Sequence, residues 1–225
     1  MIEHFAAAVG NHISDSALMT FLPLAVRLVL FHKSLNSQRS TLNDLHYADL
    51  RYLDRMLTSQ KVIDAINEQI GYEFTASLQY FAIAAHFASE ALPQLSQHFF
   101  KQAEEEKGHA LRFIKYVVDA GGRVVIPAID APKSNFKTPK DAVKLSLDQE
   151  IHVTQQINGL VGLARSENDY ITINFLQWFL TEQLEEVSSM DNLLKIVQRA
   201  GDDLLQADEY LARVGVRPMP PPPAE

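Results

Sequence analysis

Cysteine is absent from this 225-residue chain. That excludes disulfides, zinc–thiolate sites, iron–sulfur clusters and thiol catalysis. A membrane-spanning run is lacking too. The one candidate, residues 17–31, falls short of the roughly 20 residues a spanning helix needs, and Pro23 and Arg27 interrupt it. No basic stretch precedes it and no small-residue cleavage site follows, so it does not read as a secretory leader. A cytoplasmic protein without a membrane partner is expected. Positive charge is in deficit, with 20 Lys and Arg against 28 Asp and Glu, a net −8. This balance disfavours nucleic acid as a partner and favours cations. What is present in quantity is apolar: 47% of the residues are hydrophobic, enough for a sizeable core.

Residues 1–55 hold four of the eight histidines (His4, His12, His32 and His46) and no sustained helical period. They read as an N-terminal extension, poorly assigned, and Met56 could itself be a translation start. From Ser59 the pattern turns helical, with helices expected over 60–88, 93–120, 139–167 and 169–200. A short fifth helix is expected over 202–213. Pro93 and Pro139 suit first helical positions, Thr138 and Asp141 suit a cap, and Gly121-Gly122 and Gly201 suit stops. A bundle domain over 56–201 is then followed by a short helix and proline-rich tail over 202–225, with Pro218 and Pro220 to Pro223 extended.

The stretch 121–138 is too long for an ordinary connector. A helix of about 28 residues measures about 42 Å. Some 18 extended residues reach roughly 60 Å, so the chain can return along the whole bundle. The second and third helices then run parallel, as in an all-α four-helix bundle with one long crossover.

Each of the four long helices carries an acid or amide on its apolar stripe. At 100° per residue Glu73 lies with Ile66, Ile70, Tyr80 and Ala84, and Glu106 with Leu95, Phe99, Phe113 and Val117. Glu150 lies with Val143, Leu147, Ile157 and Val161, and Gln183 with Leu176, Phe179, Met190 and Leu194. His109 and Glu186 flank the same stripes three residues on. All fall within a few turns of one height. Four buried carboxylates (Glu73, Glu106, Glu150 and Glu186) carry −4, the charge that two divalent ions neutralise. Oxygen-rich donors with one imidazole suit iron or manganese, and zinc would also bind. One polar residue on an apolar stripe is common; the same on four helices at one level reads as a di-iron carboxylate site.

At these residues the sequence resembles the bacterial non-haem ferritin family, and the string Leu92-Pro93-Gln94-Leu95 with the short fifth helix and tail looks closest to its mycobacterial ferritin B type. The resemblance covers about residues 57–201. It rests on Glu73, on Glu106-x-x-His109, on Glu150, and on Gln183-x-x-Glu186 where other ferritin-like bundles place a second Glu-x-x-His. The spacings of 33, 44 and 33 residues between Glu73, Glu106, Glu150 and Gln183 match as well, as does the string from Asn174 to Trp178. The resemblance implies that Glu73, Glu106, His109, Glu150, Gln183 and Glu186 form a ferroxidase di-iron centre. It implies a third iron position at Glu105, Glu182 and Glu185, and electron donation by Tyr80 and Trp178. The expected function is Fe(II) oxidation by O2 or H2O2 and storage of Fe(III) mineral in a hollow homo-oligomeric cage of 24 subunits.

Two other classes compete. A haem-containing bacterioferritin would place Glu and His at positions 183 and 186, and Met where this chain has Lys107, so no haem is expected. A di-iron oxidoreductase of the rubrerythrin or oxygenase kind would act on a small substrate or peroxide; rubrerythrins usually add cysteine-ligated iron, which the composition forbids. Glu104 is expected to be a solvated charge, and His98 and His152 are expected on the surface.

Overall fold

The computed structural model describes residues 56–216, so the expectations for residues 1–55 and for the proline-rich tail lie outside the described residues. The described chain is all helix: α1 (Gln60–Ser89), α2 (Pro93–Asp119), α3 (Pro139–Ser166), α4 (Tyr170–Ala200) and α5 (Leu204–Val214). The ends fall within two residues of those expected from sequence. Among the described residues no helix is long and apolar enough to cross a membrane.

Local chemistry sets the boundaries. The Ser59 side chain accepts from Val62 N–H to start α1. Thr138 and Asp141 form a reciprocal capping box around Pro139 at the start of α3. Asp169 caps α4 by accepting from Thr172 N–H at 2.9 Å. Helix α2 has no side-chain cap of its own. Its first N–H groups are met from α5 instead, where Asp208 Oδ1 accepts from Gln94 and Leu95 N–H, each at 2.9 Å. The turn between α3 and α4 is tied to the start of the bundle by a buried polar network. Thr58 and Thr172 both hydrogen-bond to Asp169, and Tyr116 Oη meets Thr172 Oγ1 at 2.6 Å.

The crossover is strapped along α1 in order. Asn67 donates to Arg123 O at 2.9 Å and accepts from Val125 N–H at 3.0 Å. Pro127 then packs so close to Gly71 that a Cβ there would sit 2.3 Å from Pro127 Cγ. Gln79 makes the same two-way amide contact with Lys133, at 2.8 and 2.9 Å. Phe136 finally packs on His86 near the end of α1, ring centroids 5.1 Å apart. The loop therefore travels the full length of α1 before α3 begins. With short turns joining α1 to α2 and α3 to α4, α3 runs antiparallel to α1 and parallel to α2, as the loop length predicts.

Two apolar clusters fill the bundle. One gathers Ile66, Ile70, Phe113, Ile157, Leu176 and Phe179; the other gathers Tyr80, Phe87, Leu95, Phe99, Val143 and Met190. Helix α5 joins the second through Ala207 and Leu211. On every long helix the acid or amide of the stripe falls between a residue of one cluster and a residue of the other. A polar layer therefore divides the core in two.

Candidate metal centre

The polar layer is buried. Glu73, Glu106 and Glu150 are each 1% exposed, Gln183 3%, His109 5% and Glu186 6%. Glu73 is held from one helical turn back by Gln69, whose Nε2 donates to Glu73 Oε1 at 2.8 Å. Glu73 Oε2 has no partner, and neither has Glu106 Oε1. Glu106 Oε2 lies 3.1 Å from His109 Nδ1, and Glu73 Oε2 lies 3.9 Å from the same nitrogen. One donor atom from each of these three residues falls within 4.8 Å of the others. The His109 ring is fixed edge-on by Trp178 and Phe179, at centroid distances of 5.4 and 5.8 Å. Its Nε2 faces Glu182 Oε1 at 4.0 Å.

Glu150 forms the opposite wall. Tyr80 Oη donates to its Oε1, and Gln183 Nε2 donates to its Oε2 at 3.2 Å, with Thr154 Oγ1 3.3 Å from the same amide. Glu186 is turned aside, toward Gln102 Nε2 at 3.4 Å. It lines a cavity of about 190 Å³ with His98, Lys101, Gln102, Glu105, Glu182 and Glu185. Sequence-predicted residues thus fall into three groups: a metal-ready trio, a Tyr80–Glu150–Gln183 cluster, and an acid-lined cavity reached through Glu186.

Burial sets the electrostatics of this layer. Burial, and then the charge of Glu106, holds the Glu73 carboxyl well above its ordinary range. Burial, and then Glu150, does the same to Glu106. Burial lifts Glu150 against the opposing hydrogen bonds from Tyr80 and Gln183. Burial, followed by Glu150 and Glu105, pushes Glu186 to about 8. The Tyr80 phenol is raised by burial and by the charge of Glu150. Mutually repelling acids with two orphaned oxygens and an adjacent imidazole form a donor set of the chemistry that suits divalent cations.

Outside the layer, Glu104 is exposed and paired with Lys107 at 2.7 Å, as expected for a solvated charge. His152 is exposed, as expected. His98 is not: it is half-buried edge-on to Phe99, and burial lowers it to about 4. Its packing against Phe99 was not legible in the sequence. Gln69, Gln102 and Arg112 also escaped notice. Arg112 lies over the Trp178 ring at 3.7 Å. Gln69 and Gln102 each precede a site glutamate by four residues, the spacing at which helical side chains meet, and that was their available signal.

Known proteins share this organisation. Residues 63–200 match the ferritin-like domain of the ferritin family. Over 148 residues the chain is 49% identical to ferritin BfrB of Mycolicibacterium smegmatis, covering 66% of this chain and 82% of that one. It is 35% identical over 161 residues to a bacterial non-heme ferritin of Staphylococcus aureus, covering 72% and 97%. An open-pore ferritin from Archaeoglobus fulgidus superposes with a TM-score of 0.67 at 34% identity, over 69% of this chain and 97% of that one. With that match spanning the four long helices and the polar layer between them, the chain belongs to the ferritin family.

Proposed function

We propose that this chain is an iron-storage subunit with ferroxidase activity. Two Fe(II) ions are its substrate, taken by Glu73, Glu106, His109, Glu150, Gln183 and Glu186. The observation that carries the reading is the pair of orphaned oxygens, Glu73 Oε2 and Glu106 Oε1, buried beside His109. Unpaired buried charge costs about 3–5 kcal/mol when one partner is removed, so these oxygens are tolerated because a cation completes them.

The residues divide the work. Glu73 and Glu106 bring full negative charge, and hard oxygen donors favour the higher charge of Fe(III) over Fe(II). His109 offers Nδ1 to the same space, its ring held by Trp178 and Phe179. Because these carboxyls are raised, binding Fe(II) releases protons. Each Fe(II) yields one electron and dioxygen takes both. Tyr80, whose Oη donates to Glu150, would give a further electron to the dioxygen already reduced by the two iron electrons and pass its proton to that carboxylate. Gln183 is neutral and binds more weakly than a carboxylate would, which eases release of the product. Glu105, Glu182 and Glu185 receive it as a weaker third position in the acid-lined cavity. The subunit works in the cytoplasm within a hollow cage of 24 copies. Exposed Tyr72, Val125 and Ile126 supply apolar surface for subunit contacts.

The test is direct. Purified protein is loaded with Fe(II) in air and followed by absorbance and size-exclusion chromatography, beside Glu106→Ala and His109→Ala. The variants should assemble and stay helical while oxidising iron far more slowly. Oxidation at the parent rate would remove the ligand assignment.

A further inference from the structure

Gln102 has no part in the ligand set above, yet it sits at the junction of the two acid groups. It is 4% exposed, four residues before Glu106 on α2. Its single amide nitrogen reaches Glu105 Oε2 at 2.5 Å and Glu186 Oε1 at 3.4 Å. One of those acids belongs to the cavity side and the other to the buried layer. On the far side of Glu105 the Lys101 ammonium pairs with it at 3.2 Å and is itself exposed. Among the described residues the amide is therefore the one buried donor that holds both carboxylates, and it does so from within the cavity wall.

The geometry points to Gln102 as a positioning residue that gates cation passage between the buried pair and the acid-lined cavity. This rests on the proposed ligand set and on the third position beside it. An amide nitrogen carries two N–H donors and no lone pair for a cation. In the absence of metal those donors stand in for positive charge and keep Glu105 and Glu186 from turning apart. A cation that crosses from the pair to the cavity needs the same two carboxylates, so it must displace the amide from both. The amide thus lowers the affinity of the outer position and slows transfer to it, while its hydrogen bonds go to Glu105 and Glu186 and not to Glu73, Glu106 or His109.

Gln102→Met removes both donors and keeps an unbranched, helix-compatible side chain of similar length. Gln102→Ala removes donors and bulk together, and guards against a misfit of the thioether. The redox-inert probe Zn(II) is titrated calorimetrically into the metal-stripped, assembled parent and both variants. The parent should show a tighter class and a weaker class of ions. In both variants the weaker class should tighten by about tenfold, the equivalent of one charge-assisted hydrogen bond no longer competing. The tighter class should move much less, so the two affinities converge. A purely structural role for Gln102 would loosen both classes together and would overturn the gate. Two classes in the parent with an unchanged ratio in both variants would also overturn it, leaving the ligand reading intact. A parent with no weaker class at all would remove the outer position and the gate with it.

Discussion

Replacing Glu106 by Gln should make the metal-stripped protein more stable and a poorer oxidase at once. Glu106 is 1% exposed and its Oε1 has no partner, while Glu73, Glu150 and Glu186 converge on it. Gln keeps the shape and removes the charge. An unsatisfied buried acceptor costs about 1–3 kcal/mol, and more when charged, so a gain of about 2 kcal/mol is expected at pH 8. For a chain of this size that corresponds to about 4–8 °C in the unfolding midpoint. The pH dependence follows from the direction of the shift. The folded-state Glu106 carboxyl is raised by burial, so the unfolded chain gives up its proton first as pH climbs. The parent therefore loses stability from the ordinary glutamate range up to the raised value, and the variant does not. The gap between them should shrink toward zero below the ordinary glutamate range, under about pH 4, and be widest at pH 8. Glu73, Glu150 and Glu186 are raised as well, so the metal-stripped parent itself should melt lower at pH 8 than at pH 6. Midpoints must be compared at one protein concentration and scan rate, because the proposed assembly would contribute to them. Iron oxidation by the same variant should fall more than about tenfold, since even outer partners of metal ligands cost 10- to 100-fold. A metal-stripped Glu106→Gln that melts below the parent at pH 8 would refute the reasoning, because the carboxylate would then be satisfied without a cation.

Three further outcomes are expected. Asp208→Ala strips the cap that α5 lends to α2 and should lower stability by about 1–2 kcal/mol, with Asp208→Asn losing less; thermal unfolding by circular dichroism measures both, and an unchanged midpoint would mean the cap is replaced by water. Protein purified with haem supplied should show no stoichiometric Soret band, because Lys107 is exposed and paired with Glu104 where an axial Met would be needed. A chain beginning at Met56 should fold, assemble and oxidise iron, since it keeps the Thr58–Asp169 contact and the bond from Leu57 N–H to Ala120 O; failure to assemble in size-exclusion would make residues 1–55 structural.

The helices were legible because their ends are written in single residues with single uses. Thr138, Pro139 and Asp141 can do little together except start a helix, and Gly121 and Gly201 both adopt the positive φ that ends one. The crossover was legible through its length alone. Its path was not, since the straps at Asn67, Gly71 and Gln79 join residues more than 50 positions apart and follow no local period. Asp208 capping a helix more than 100 residues away escaped for the same reason. Neither α2's uncapped start nor an acid in the middle of α5 signals the other until the two are brought together.

The site was legible by a different logic. A glutamate on an apolar stripe is locally a mistake, and such mistakes repeated at one level on four helices point to one shared cause, which the proposed function identifies as bound cations. That argument identifies residues that are wrong for a core, which is why Glu73, Glu106, Glu150 and Gln183 stood out. It is blind to residues that repair the error. Gln69 holds one oxygen of Glu73 and Gln102 spans Glu105 and Glu186, yet a glutamine one turn from a glutamate on a polar-flanked helix is ordinary surface chemistry until both are found buried. The repair is also incomplete in a patterned way. On Glu73 one oxygen is met by Gln69 and the other is left open; on Glu106 one oxygen meets His109 and the other is left open. The partners thus fix each carboxylate's orientation and reserve its second oxygen. A fully satisfied network would have been more stable without metal, and a fully orphaned one would not hold its shape. Half-satisfaction is the compromise that keeps the donors in place and still leaves binding energy for an incoming cation.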